Sequence, residues 1–79
     1  MNLIPGKLYE ISNDINTIRF GPHNFEKYIK KGSIVMLTTI SQPSKVGLFT
    51  IIKLGILHNN EIYVFELFNK NLKYYLKEI

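Results

Sequence analysis

Residues 48–67 set apolar against polar positions in a way that defines a hairpin. LFTIIKLGIL runs into His58, and a return arm leaves from Glu61 to about Leu67. Asn59-Asn60 between them suits a two-residue turn, because asparagine tolerates the positive φ that a type I′ turn requires at both central positions. The register follows: His58–Glu61, Ile56–Tyr63, Leu54–Phe65 and Ile52–Leu67 share one face, with Leu57–Ile62, Gly55–Val64, Lys53–Glu66 and Ile51–Phe68 on the other. Both faces are largely apolar. An antiparallel sheet usually keeps one face wet, so the second face needs a cover.

Upstream, Pro5-Gly6 marks a turn and KLYEIS (7–12) alternates, with Leu8, Glu10 and Ser12 opposite Tyr9 and Ile11. This predicts a first strand. Residues 13–23 are rich in turn formers and read as a long excursion with a short extended arm from Thr17 to Phe20. Asn24 is placed to cap a short helix in which Glu26 reaches Lys30, Phe25, Tyr28 and Ile29 form an apolar stripe, and Gly32 ends the element. SIVMLTTI (33–40) is continuous and β-branched, as a buried central strand would be, and QPSKVG (42–47) reads as a loop. Leu72, Tyr75, Leu76 and Ile79 match a helical stripe, yet a single turn over 69–73 followed by a strand over 74–78 fits as well, and the layout of short strands favours the latter.

The layout predicts a single, mostly β domain: a five-stranded small barrel with one short helix or helical turn in its first long loop. The order of elements resembles an SH3-like small barrel over nearly the whole chain. PGKLYEIS, KKGSIVMLTTI and NNEIYVFEL are also similar to short tailed-phage proteins that open with Pro-Gly-x-Leu-Tyr. That resemblance implies a small-barrel fold and a phage or mobile-element origin, and it carries over no functional residue. The chain has no tryptophan, and its first long loop holds Asp14 as its acid, so it lacks the features by which SH3 domains bind proline-rich peptides.

Composition sharpens this picture. Seventy-nine residues allow one domain, and a core this small makes a partner subunit a plausible second cover for the hairpin. Leu8, Phe25 and Ile29 are the local candidates for that cover. Phe, Tyr, Met, Ile, Asn and Lys account for 41 residues and alanine is absent, the signature of AT-rich codons. Without cysteine there is neither a disulfide nor a thiolate metal site. No apolar run is long enough to span a membrane and MNLIPGKLYE does not read as a secretory signal, so cytoplasmic residence is expected, in a host cell if the gene is phage-borne.

Candidate chemistry is sparse. His23 and His58 have no carboxylate or histidine at metal-ligand spacing, Glu61 and Glu66 face His58 and Lys53 as cross-strand pairs, and the serines lack an elbow motif. Neither catalysis nor a cofactor is expected. The net charge of +4 points to anionic partners. Arg19, Lys27, Lys30, Lys31, Lys73 and Tyr74 are the candidate ligand-binding residues, since lysines beside exposed rings suit a nucleic acid or nucleotide. Ile51, Leu57, Ile62, Val64 and Phe68, on the second hairpin face, are the candidate interface for a host protein or for homo-oligomerisation.

Overall fold

The computed structural model describes residues 2–19 and 26–79, with the side chains of all of these but 18, 19, 26 and 27. Eight strands form one sheet: β1 (Leu8–Ile11), β2 (Ile15–Arg19), β3 (Glu26–Ile29), β4 (Ile34–Ile40), β5 (Ser44–Val46), β6 (Phe49–His58), β7 (Glu61–Phe68) and β8 (Leu76–Glu78). A 3-10 turn (Asn69–Asn71) and a one-turn helix α1 (Leu72–Tyr75) separate β7 from β8. Along the sheet the order is β3-β2-β7-β6-β4-β1-β8, with β5 added against β6.

Two hairpins build this order. The first is long and kinked: β1 pairs with β4 from Leu8↔Met36, and β2 pairs with β3 from Ile15↔Ile29. The same number of residues separates the two ladders on each side, 11–14 on one and 30–33 on the other. At the kink the Ile11 N–H donates to the Ser33 carbonyl (2.8 Å) and the Gly32 N–H returns to the Ile11 carbonyl (2.7 Å), so the ladder continues into the corner. Gly32 adopts φ +92° and the Ser33 N–H donates to the Lys30 carbonyl, closing a tight turn of a kind that favours glycine.

The second hairpin is β6–β7, and its register from His58↔Glu61 to Ile51↔Phe68 is the one expected from the sequence. Asn59 and Asn60 have φ of 50° and 64°, as a type I′ turn requires. The kinked hairpin holds both edges of this second one, with β4 pairing against β6 and β2 against β7. The sheet curls around one core, in which Tyr9, Ile11, Ile15, Ile29, Leu37, Leu54, Ile56 and Tyr63 are almost wholly buried.

Several expectations are corrected. The sheet has eight strands instead of five and is an open, curled sheet with β3 and β8 at its ends. The segment expected as a helix over Asn24 to Gly32 is, where described, strand β3 from Glu26 to Ile29 followed by the Lys30–Ser33 turn: Ile29 is buried and Tyr28 is 68% exposed, a period of two, so the helical stripe does not form. Pairing with β2 decides this, because a stripe of three apolar residues is too weak to outweigh a ladder continuous with β1–β4. Phe20, His23, Asn24 and Phe25 lie outside the described residues. The 42–47 loop contains β5, which turns back on β6 through Gly47 at φ +62°. A helical turn follows β7 and a closing strand follows the turn, in the order expected, but the turn runs on through Tyr75 and the strand is Leu76–Glu78, so Tyr74 and Tyr75 are helical where a strand over 74–78 was expected.

One glycine answers to packing and not to backbone conformation. In β4 the pairing to β6 slips between Leu37↔Ile56 and Thr39↔Gly55, a bulge that turns two threonines over Gly55. A Cβ there would overlap Thr39 Oγ1 and come within 2.7 Å of Thr38 Oγ1. Gly55→Ala is expected to destabilise the fold by about 1–3 kcal/mol, lowering Tm by roughly 4–8 °C per kcal/mol in a thermal melt.

Candidate anion-binding surface and apolar faces

Ser12, Asn13 and Asp14 form the bend between β1 and β2, and they tie two basic segments together. On one side the Lys31 N–H donates to Asp14 Oδ1 (2.7 Å). On the other, Ser12 Oγ and Asn13 Nδ2 both donate to the Tyr74 carbonyl (2.7 and 2.6 Å), and the Ser12 N–H donates to the Tyr75 carbonyl (2.9 Å). A one-turn helix leaves its last carbonyls without internal partners, and the bend supplies the missing donors. The Cα atoms of Ser12 and Asp14 can be at most about 7 Å apart, so the Lys30-Lys31 turn and the Lys73-Tyr74 turn flank the same corner.

All four of these side chains are exposed, Tyr74 by 59%. Lys7 and Lys53 reach carboxylates, at Glu78 (3.6 Å) and Glu66 (3.8 Å), whereas Lys30, Lys31 and Lys73 have no such partner among the described residues. A shallow depression of about 470 Å³ beside Ser12 adds Lys77 next to Lys73, with Glu78 on its rim. Tyr28, two residues before Lys30, contributes an exposed ring that the sequence reading had assigned to a helical stripe. Arg19 lies at the end of β2 opposite Tyr63, and Lys27 lies in β3 opposite Thr17. Of the six expected ligand-binding residues, Lys30, Lys31, Lys73 and Tyr74 thus lie on the two turns whose backbone is bonded to this bend.

Comparison with protein-family models, characterised proteins and solved structures finds no match. The chain's own geometry therefore carries the functional reading.

The second hairpin face is not one surface. Lys53 and Glu66 cross it as an ion pair, dividing Leu57, Ile62 and Val64 from Ile51 and Phe68. Leu57, Val64 and Ile51 are half-buried, while Ile62 is 48% exposed. Leu8 does not cover this face, as had been expected, but widens it: Leu8 pairs with Met36, Met36 with Leu57 and Leu57 with Ile62, one apolar row across β1, β4, β6 and β7. Ile29 cannot cover it either, being part of the core.

On the other side of the ion pair, Phe68 stacks obliquely on Phe49 (centroids 5.2 Å apart), and Lys70 Nζ sits 4.4 Å from the Phe49 centroid. Beyond them the β5–β6 turn projects Leu48, which is 99% exposed. Sequence reasoning missed this tip because Val46 to Phe49 read as the end of a loop and the start of a strand; glycine between two hydrophobic residues was the available signal. His58 faces Glu61 as expected, but the Glu61 carboxylate also accepts the hydroxyl of buried Tyr63 (2.5 Å). No group of three or more His, Asp or Glu side chains suited to a metal occurs among the described residues.

The bend's role in holding α1 is testable. A Ser12→Ala/Asn13→Ala variant removes both side-chain donors to the Tyr74 carbonyl and is expected to cost about 1–2 kcal/mol. Amide hydrogen exchange should accelerate over residues 72–76 before it does in β6 and β7.

Proposed function

We propose that the protein is a non-enzymatic accessory factor, of the phage or mobile-element type, that captures an anionic partner, a nucleic acid or a nucleotide. In this reading the curled sheet is a variant of the SH3-like small barrel and works in the cytoplasm, that of the host if phage-encoded. The observation that carries the proposal is that one bend, Ser12 to Asp14, hydrogen-bonds the backbone of both the Lys30-Lys31 turn and the Lys73-Tyr74 turn, whose side chains are exposed. Cations without carboxylate partners leave their charge available to phosphate, and a neighbouring ring can stack a base. Tyr28 extends the same chemistry along β3.

Binding of a single-stranded oligonucleotide, followed by fluorescence anisotropy, should weaken steeply as salt is raised from 50 to 200 mM. A Lys30→Gln/Lys31→Gln/Lys73→Gln variant should lose roughly tenfold or more in affinity and show a shallower salt slope. Unchanged binding by a folded triple variant would remove the proposal.

A second reading is favoured by the row Leu8–Met36–Leu57–Ile62: a protein-interaction module, for example an inhibitor of a host factor, or a homo-oligomer formed through this face. Apolar side chains on four adjacent strands make a patch of the kind that marks interfaces. If the face mediates self-association, light scattering of the purified protein reports a mass above 9.2 kDa, and Ile62→Lys returns it to a folded monomer. A monomeric parent protein would exclude the oligomer.

A further inference from the structure

The turn between β5 and β6 carries the most exposed large apolar side chain among the described residues. Val46↔Phe49 is the last pair of this hairpin, so Gly47 and Leu48 alone make the turn, with glycine at positive φ (+62°). Leu48 is 99% exposed. Turns of this kind ordinarily carry polar residues, and a leucine at the tip adds nothing to the fold because it has no sheet to pack on.

One exposed leucine is ordinary, but this one is the summit of a patch. Val46 (57% exposed), Phe49 (43%) and Phe68 (39%) lie directly below it. They share a face, since Val46 pairs with Phe49 and Phe68 pairs with Ile51 two residues further along β6, and the two phenylalanine rings stack. None of the four belongs to the core.

The cations at the base of the tip are unmatched. Lys45 and Lys70 have no carboxylate partner among the described residues, and Lys70 Nζ is held beside the rings, 4.4 Å from the Phe49 centroid and 6.0 Å from that of Phe68. Further down this face Glu66 is already taken by Lys53, and the chain has no acidic residue between Glu26 and Glu61. Leading away from the tip, the order is therefore an aliphatic summit, two rings with an ammonium, and a neutral ion pair.

We propose that the β5–β6 tip docks on a bilayer of anionic phospholipid, Leu48 and Val46 entering at the boundary of headgroups and acyl chains while Lys45 and Lys70 meet lipid phosphates. The proposal goes beyond anion capture at the Ser12 to Asp14 bend and does not rest on it. Apolar insertion and the attraction of lysines to anionic headgroups act together at such a surface, and lysine stems reach back to the phosphates. The backbone permits shallow entry, because pairing up to Val46↔Phe49 leaves only Gly47 and Leu48 to bring main-chain groups without a strand partner to the boundary. A nucleic acid would use the lysines and leave the aliphatic summit in water. A protein pocket would take the leucine but gives no use to two unmatched cations.

Because the chain has no tryptophan, Leu48→Trp places a single fluorophore on the tip. With vesicles of phosphatidylglycerol and phosphatidylcholine in equal parts, its emission is expected to shift to the blue and to be quenched by lipids brominated high on the acyl chain. The unmodified protein should float with the same vesicles, and about tenfold less with phosphatidylcholine alone. Leu48→Ser and Lys45→Gln/Lys70→Gln, all at positions outside the core, should melt as the parent does and each weaken flotation about tenfold.

Failure of the parent protein to float with anionic vesicles overturns the proposal. Flotation that survives in Leu48→Ser but is lost in the Lys30→Gln/Lys31→Gln/Lys73→Gln variant also overturns it, by moving membrane contact to the lysine turns. Blue-shifted emission of Leu48→Trp without vesicles, growing with protein concentration, makes a second copy the occupant of the tip and overturns it as well. Leu48→Ser should bind the oligonucleotide as the parent does, so that either reading can fail without the other.

Discussion

The fold depends on a corner. Two antiparallel ladders, Leu8↔Met36 to Glu10↔Ile34 and Ile15↔Ile29 to Ile18↔Glu26, meet at a corner closed by the Ile11–Ser33 and Gly32–Ile11 hydrogen bonds. Because one hairpin bends there, its near half reaches β6 and its far half reaches β7. Both edges of the β6–β7 hairpin are thereby paired over part of their length, β6 with β4 and β7 with β2 at Tyr63 and Val64, which shortens the exposed ladder that an isolated hairpin would present. The core follows from this arrangement, since Tyr9, Ile11, Ile15 and Ile29 enter it from both sides of the bend. A short chain encloses apolar residues more completely when one hairpin wraps another than when strands lie flat.

The same corner organises the candidate site. Its polar residues have backbone obligations: Asp14 accepts from Lys31, while Ser12 and Asn13 donate to the end of α1. These bonds bring together two lysine-bearing turns that are about forty residues apart in the chain. The groups that hold the end of α1 therefore also fix the turn that carries Lys73 and Tyr74 to the bend that receives the Lys31 N–H. α1 in turn places Tyr75 against Phe65, at one wall of a depression that Asn71 also lines. Outside this end of the molecule, charge does a different task, with the Lys53–Glu66 pair interrupting an otherwise apolar convex face.

The β6–β7 hairpin was legible in full because its register depends on local chemistry: two asparagines able to adopt positive φ and a strict alternation on either side. The first strand was legible from its alternation; the central strand was legible from its β-branched run, although burial in it alternates, and of the ending the order of turn and strand was legible but not the extent of the helix through Tyr75. Residues 26–29 were not. Tyr28 and Ile29 satisfy a helical stripe and a strand equally over so few positions, and only the ladder to β2 separates Ile29 in the core from Tyr28 in solvent. The lysines and Tyr74 could be nominated from composition and spacing. Asn71, Tyr75 and Phe68 could not be recognised as neighbours, since the depression they line exists only after the chain has folded.

By itself, then, the sequence determined the elements whose pattern is local: where strands alternate, where asparagine or glycine permits a turn, and that the chain carries excess positive charge. Tertiary structure decided which strands meet and what each face touches. Leu8 lengthens the outer apolar row instead of covering it, Gly55 is required by a bulge in another strand, and the basic turns converge on a bend remote from both in sequence. Alternation specifies two faces for each strand but no partner. Partners are chosen by long-range ladders and side-chain packing, whose energies depend on residues that no local window contains.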